Sequence, residues 1–149
     1  MTEVLFYHLQ NAPLVQALSK LLEASLKRGW RVVVKVGDEA ALEPLSSDLW
    51  TYRADSFLPH ATASEGGAGD QPIYLTRGDE NPNGAQVLFL VHGAASDEIE
   101  GFSRCVLLFD GGDEEALGLA RHQWKTLKAA GHDATYWQQS DEGRWEKKA

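Results

Sequence analysis

The chain has 149 residues, of which 43% are hydrophobic and 24% charged, a balance typical of a folded domain and not of a disordered segment. Its 22 acidic side chains outnumber the 14 basic ones and give a formal net charge of -8, which disfavours direct binding to the polyanionic backbone of DNA. The single cysteine, Cys105, excludes an internal disulfide framework and a cysteine-based zinc site. No signal-peptide pattern is visible, and no apolar run approaches the ~18 residues of a membrane helix, so we expect a cytoplasmic protein with no membrane partner.

Apolar periodicity predicts strands that alternate with helices along the chain. Apolar and β-branched runs indicate strands at 4–9, 30–36, 72–76, 85–91 and 105–109, and a last strand that starts at 135. Leucines at helical spacing, together with terminal signals, indicate helices at 13–28, 38–49 and 113–131. Gly29, after Lys27 and Arg28, is the expected end of the first helix. Residues 51–69 contain no element with a convincing pattern.

This alternation predicts an α/β fold, a single domain over 1–149 with three layers, in which a mostly parallel sheet is flanked by helices. The segments 72–76, 86–91 and 105–109 have no helix between them, so we expect some mixed strand pairing there. Residues 65–69 are predicted to form a flexible glycine-rich loop. Residues 140–149 are expected to form a less ordered C-terminal tail.

The sequence offers few candidates for catalysis. The first strand is followed by H-L-Q-N-A-P at 8–13, without the glycines of a phosphate-binding turn, so a nucleotide cofactor is disfavoured. Asp110 and Asp113 flank two glycines after a strand, as in the acidic loops of Mg²⁺-dependent hydrolases and phosphotransferases, which we keep as the alternative function. We favour Asp113 as a helix N-cap, because Glu114 and Glu115 follow it. The string at 78–84 lacks the EF-hand order of oxygen ligands and is interpreted as a turn.

The last predicted helix carries two adjoining arcs. At 100° per residue, an apolar arc that should face the sheet is formed by Ala116, Ala120, Trp124 and Leu127. The neighbouring arc is basic and consists of Arg121, Lys125 and Lys128. An indole beside cations suits a peptide that carries carboxylates and an aromatic side chain. Two other interpretations stay open: cations that complement the helix macrodipole, and stacking of single-stranded nucleic acid on Trp124.

Aromatic residues also occur outside the periodic segments, at Trp50, Tyr52 and Phe57. Such residues either plug the core beneath a loop or anchor a protein partner. The residues alone do not decide between these roles.

Several strings resemble the chi subunit of bacterial DNA polymerase III, in order and over nearly the whole chain. The most specific are L-W at 49–50 with S-F-L-P-H at 56–60, and G-D-E-N-P-N-G at 78–84. F-Y-H-L at 6–9 and A-R-H-Q-W-K at 120–125 support them. The resemblance implies a Rossmann-like fold without a nucleotide-binding loop, with no catalytic residue, no metal site and no cofactor.

The resemblance also implies a replication adaptor with two protein partners. One is the psi subunit, through which chi subunits join the clamp loader. The other is the acidic C-terminal tail of the single-stranded DNA-binding protein, which ends in phenylalanine. Nucleic acid would then be reached only indirectly.

The resemblance assigns the psi interface to Trp50 and Phe57, and we include their neighbours Pro59 and His60. The family pattern is matched here by the aromatic pair and by the S-F-L-P-H string.

Tail binding is assigned to Arg121, Trp124 and Lys125, to which we add Lys128 from the same arc. Arg121 would bind a carboxylate, Lys125 would add long-range attraction, and Trp124 would help to wall an apolar pocket.

Overall fold

One mixed β-sheet organises the computed structural model, which describes residues 2–10, 14–51, 60–62, 71–96, 99–140 and 144–148. The strands are β1 (Glu3–Leu9), β2 (Val32–Val36), β3 (His60–Thr62), β4 (Ile73–Thr76), β5 (Val87–Val91), β6 (Arg104–Asp110), β7 (Asp133–Gln139) and β8 (Trp145–Lys147). The helices are α1 (Leu14–Lys27), α2 (Glu39–Thr51) and α3 (Glu114–Ala129), with a short 3-10 helix at Ile99–Gly101.

The strands follow the order β3-β4-β2-β5-β6-β1-β7-β8 across the sheet. Every neighbouring pair is parallel except β7 and β8, which are antiparallel. Strand β1 lies between β6 and β7, so that Tyr7 is opposite both Leu108 of β6 and Trp137 of β7. The predicted α/β fold with a mostly parallel sheet is confirmed.

Two layers of core lie on opposite faces of the sheet, because successive strand residues point to opposite sides. Leu5 and Leu9 of β1 join the layer covered by α1 and α2. Val4 and Phe6 join the layer on the other face, to which Ala120 of α3 belongs. A fully buried side chain of this size contributes about 1.5–3 kcal/mol, so these alternating residues hold β1 firmly between the helical layers.

Helix α1 ends at the predicted signal. Gly29 has φ +79°, and its N–H donates to the carbonyl of Leu26 at 2.9 Å. The N–H of Trp30 reaches back to the carbonyl of Ser25 at 3.1 Å, which completes a helix end that favours glycine. None of the helices in the described ranges is long and apolar enough to cross a lipid bilayer.

The expectation of mixed pairing among the three strands without intervening helices is wrong. Strands β4 and β5 both pair in parallel with β2, and β5 also pairs in parallel with β6. Strands of this length span only about 13–17 Å, whereas the connection 77–86 reaches up to about 33 Å when extended. A loop alone can therefore return the chain, and the β5–β6 connection uses the short 3-10 helix for the same purpose.

Two short edge strands escaped prediction. Strand β3 has only three residues, H-A-T, and forms because it pairs with β4. The expected less ordered tail over 140–149 is wrong for Trp145–Lys147, which pairs with β7 as β8. The ring of Trp145 packs edge-to-face on Tyr7, with centroids 4.8 Å apart, and this contact anchors the strand. Helix α2 also runs past its predicted end and includes Trp50.

Candidate protein-interaction surface

Helix α3 begins at the acidic cap that the sequence predicts. The Oδ1 atom of Asp113 accepts hydrogen bonds from the N–H groups of Glu115 at 3.0 Å and Ala116 at 3.3 Å. The N-cap interpretation is therefore confirmed. After the last turn, Gly131 has φ +91° and its N–H donates to the carbonyl of Lys128 at 3.1 Å. Between these ends the helix packs on β6 and β7.

Trp124 closes the core between α3 and the sheet. Its ring meets Phe6 edge-to-face at a centroid distance of 5.3 Å and Tyr136 at 5.9 Å. The Nζ atom of Lys128 lies 5.1 Å from the centroid of the same indole, a cation–π contact. The predicted apolar arc of α3 faces the sheet as expected. Trp124 is thus half-buried and held on several sides, and only part of its ring faces solvent.

Arg121, Lys125 and Lys128, which we call the cationic face of α3, are all exposed. Among the residues that the structure describes, none of the three lies within ion-pair distance of a carboxylate. Like charges one turn apart on a helix destabilise it by about 0.2–0.5 kcal/mol per pair. The cationic face therefore carries a small internal cost that an external anion would relieve.

Strands β1 and β7 place two polar side chains near Arg121. His8 Nδ1 and Tyr136 Oη are 2.7 Å apart, and the ring of Phe109 lies 5.3 Å from that of His8. Burial lowers the pKa of His8; the charge of Asp110 opposes this and that of Arg121 adds to it. Burial raises the pKa of Tyr136, and Arg121 partly offsets this. Both pKa shifts favour the neutral forms of the two side chains at pH 7, and the charge of Arg121 influences both pKa values.

The residues expected at the psi interface are described only in part. Trp50 belongs to the last turn of α2, and His60 is the first residue of β3. Helix α2 packs against β3, so the two positions belong to elements in contact. Phe57 and Pro59 lie outside the described residues. The sequence pattern had put Trp50 outside the periodic segments, but in the structure it belongs to a regular helix.

The carboxyl end of the sheet holds a cleft of about 840 Å³, in the position where α/β enzymes place catalytic groups. Asp38 and Asp110 line it, and each accepts a hydrogen bond from the backbone N–H two residues further on. Asp113, also in the lining, is the N-cap. In the described ranges no group of three His, Cys, Asp or Glu side chains could hold a metal ion.

Burial raises the pKa of the Cys105 thiol to about 12, which suppresses its reactivity.

The G-D-E-N-P-N-G string at 78–84 is a loop stapled to the sheet, as interpreted from the sequence. Asn81 Oδ1 accepts from the N–H of Ala85 at 2.7 Å, and its Nδ2 donates to the carbonyl of the same residue at 3.2 Å. The Nδ2 group of buried Asn83 donates to the carbonyls of Gln71 at 3.0 Å and Val32 at 3.3 Å. The Asn83 amide thus acts as the hydrogen-bond donor for a carbonyl at the start of β2 and for one just before β4. The string is therefore architectural.

His8 and Tyr136, a hydrogen-bonded pair that adjoins Trp124, are not among the residues predicted from the sequence for this surface. Strand alternation places Phe6 and His8 on one face of β1, which is a signal in the sequence. The contact with Tyr136 needs the further fact that β1 and β7 are neighbours, with Phe6 opposite Tyr136. That neighbour relation is tertiary, and local periodicity does not contain it.

Comparison with known proteins identifies the family. A family model described as "DNA polymerase III chi subunit, HolC" matches residues 1–135. The chain belongs to this chi family. The resemblance found in the sequence strings is thereby confirmed, and so is a role as a DNA replication accessory protein of the chi type.

Three curated relatives carry the chi name. The Escherichia coli DNA polymerase III subunit chi is 28% identical over 139 residues, covering 88% of this chain and 94% of that protein. The Pseudomonas aeruginosa DNA polymerase III subunit chi is 30% identical over 107 residues, covering 70% and 74%. A Rickettsia prowazekii protein described as a probable DNA polymerase III subunit chi is 28% identical over 117 residues, covering 74% and 71%.

Proposed function

We propose that the chain is a non-catalytic cytoplasmic adaptor within the DNA polymerase III holoenzyme. One surface binds the psi subunit and thereby the clamp loader. A second surface, the cationic face of α3 with Trp124, binds the acidic C-terminal tail of the single-stranded DNA-binding protein. The observation that carries the second assignment is a set of three exposed cations without a carboxylate partner among the described residues.

Charge distribution supports a tail that docks at one place. The chain as a whole has a formal charge of -8, so an acidic partner is repelled from most of its surface. The cationic face concentrates positive charge on two turns of α3. Such local complementarity steers the encounter and selects the docking site more than it adds raw affinity.

The side chains of the cationic face suit different parts of an acidic tail. The guanidinium of Arg121 can donate two parallel hydrogen bonds to one carboxylate, which an ammonium cannot do. Lys125, one turn further on, supplies longer-range attraction. The exposed part of Trp124 offers an aromatic surface for a terminal phenylalanine ring. Lys128 already covers one face of the indole, so the ring would be approached from another side.

The psi half of the proposal rests mainly on the sequence strings of the family. Trp50 on α2 and His60 on β3 lie on elements that pack together, whereas the cationic face belongs to the helix on the opposite side of the sheet. Two partners could therefore be bound at the same time without competing for one surface.

Separation of the two partners tests the proposal. Phe57→Ala should abolish co-purification with the psi subunit and leave affinity for the tail peptide unchanged. Arg121→Ala should weaken binding of the tail peptide and leave co-purification with the psi subunit unchanged. Lys20→Ala removes an exposed cation from α1, on the other face of the sheet, and serves as the matched control that affects neither partner. An Arg121→Ala variant with wild-type affinity for the tail would refute the assignment of that surface.

A further inference from the structure

The hydrogen-bonded pair of His8 and Tyr136 lies beside the cationic face, because the ring of Tyr136 is 5.9 Å from that of Trp124 on α3. The pair joins β1 to β7 at 2.7 Å, on the sheet face that α3 covers. Gly111 makes room for the imidazole, because a Cβ at that position would overlap the His8 ring. Neither β1 nor β7 needs this bond for its backbone pairing, since the two strands already pair from Glu3 opposite Asp133 to His8 opposite Gln138.

The charged groups that face His8 come from two elements. Asp110 at the end of β6 favours the protonated imidazole, and Arg121 on α3 disfavours it. Tyr136 of β7 faces it through the hydrogen bond and is itself within the field of Arg121. A carboxylate bound to Arg121 would neutralise the cation that opposes protonation of His8.

The direction of the His8–Tyr136 hydrogen bond depends on the protonation state of the imidazole. A neutral ring with its proton on Nε2 accepts the Tyr136 hydroxyl proton at Nδ1. A protonated ring carries hydrogen on both nitrogens, so Nδ1 must donate to Tyr136 Oη. The phenolic O–H is then free to donate to another acceptor. Protonation of His8 thus adds a positive charge and releases a hydrogen-bond donor at the same place.

We propose that His8 and Tyr136 extend the tail-binding surface and determine its affinity for a carboxylate, with Tyr136 donating to the anion when His8 is protonated. This inference rests on the proposed function of the cationic face. It names two binding residues beyond Arg121, Trp124, Lys125 and Lys128, and it makes acidic-tail binding a proton-linked reaction.

The sign of the pH dependence follows from the charges. An anion bound beside His8 raises the pKa of the imidazole above its value in the free chain, so binding takes up protons. Affinity therefore rises as the pH falls from the pKa of the complex toward the lowered pKa of free His8. The carboxylates of the tail stay ionised above about pH 5, so the rise is expected between about pH 7.5 and 5.5.

Calorimetric titration of the full chain with an acidic peptide that ends in phenylalanine, at pH 7.5 and 5.5, tests the inference. The wild type should bind roughly three- to fivefold more tightly at pH 5.5, as for a partly exposed charge pair. His8→Gln should remove this increase. Tyr136→Phe should weaken binding about two- to tenfold at pH 5.5, as for the loss of one hydrogen bond. His122→Gln, which removes an exposed histidine from α3, is the matched control and should keep the wild-type increase.

The outcomes separate the inference from the function on which it rests. An undiminished pH response in His8→Gln, or wild-type affinity in Tyr136→Phe, overturns the inference even when Arg121→Ala weakens binding. Wild-type affinity in Arg121→Ala overturns the proposed function itself. If His8→Gln proves unfolded, nuclear magnetic resonance titration of the His8 imidazole in the wild type decides: its pKa must rise when the peptide is bound, and an unchanged value contradicts the proposal.

Discussion

The loop at 78–84 and the cationic face of α3 both belong to strings that resemble the chi family, yet they use their polar side chains in opposite ways. Asp79 in the loop pairs with Lys35 at 2.8 Å and accepts from Ser96 at 2.7 Å. On α3, Arg121 and Lys125 are exposed and have no carboxylate partner among the described residues. Polar side chains that are paired within the chain thus mark a string that stabilises the fold. Exposed side chains without such a pair mark a string that is available to another protein.

The pKa shifts in the loop and beside the cationic face differ in the same way. Hydrogen bonds from Lys35 and Ser96 hold the pKa of Asp79 below its usual range, so its charge is already used by the fold. The charge of Arg121 instead acts on His8 and Tyr136. It contributes to the lowered pKa of His8, and it partly offsets the rise that burial causes in the pKa of Tyr136. The charge of Asp79 in the loop is balanced by Lys35, whereas the charges of the cationic face have no carboxylate partner among the described residues.

The largest effect expected on stability is in the loop. Asn83→Ala would leave the carbonyls of Gln71 and Val32 without their donors, and a buried unsatisfied group costs about 1–3 kcal/mol. Loss of the buried Asn83 Oδ1 atom, which accepts no hydrogen bond from the residues that the structure describes, offsets part of this cost. We expect the free energy of unfolding, measured in urea, to fall by about 1–3 kcal/mol while tail affinity stays constant. Unchanged stability would break the comparison.

A smaller effect is expected at the start of α3. Asp113→Ala removes the N-cap, for which the typical loss is about 1 kcal/mol. Arg121 lies about two turns further along the helix, roughly 12 Å away, so binding of the tail peptide should not change. Denaturation and peptide titration of the same variant check both statements. A parallel loss of affinity would show that α3 does not behave as two separate parts, one architectural and one for binding.

The smallest effect concerns Lys125. Lys125→Ala should weaken tail binding by only about 0.5 kcal/mol, as for an exposed ion pair, and the difference should shrink at high salt. Stability should remain within about 0.5 kcal/mol of the wild type or rise slightly, because a like-charge neighbour of Arg121 is removed. Titrations at two salt concentrations measure this. A salt-independent loss would indicate a contact other than charge attraction.

The sequence predicted those parts of the fold that local patterns determine. The apolar runs of β2 and β5, the leucine spacing of α1 and the cap at Asp113 all lie where expected, because their signals are contained in neighbouring residues. Pairing partners were not predictable in the same way. Strand β3 has no pattern of its own, and the parallel pairing of β4 and β5 with β2 depends on connections that carry no helix.

The candidate site shows the same limit. Helical spacing alone puts Arg121 and Lys125 on one exposed arc and Trp124 at its edge, and the structure agrees in exposure. The contact between His8 and Tyr136 joins residues far apart in the sequence, and only the order of strands brings them together. The psi-binding residues remain a prediction from the family strings.

One measurement tests the central claim most directly: affinity for a tail peptide with a free terminal carboxylate, compared with the same peptide amidated, in the wild type and in Arg121→Ala. If Arg121 binds that carboxylate, amidation should cost the wild type about 1.5–3 kcal/mol, or roughly ten- to 150-fold. In Arg121→Ala the two peptides should bind equally. An amidation penalty that is the same in both proteins would contradict the account.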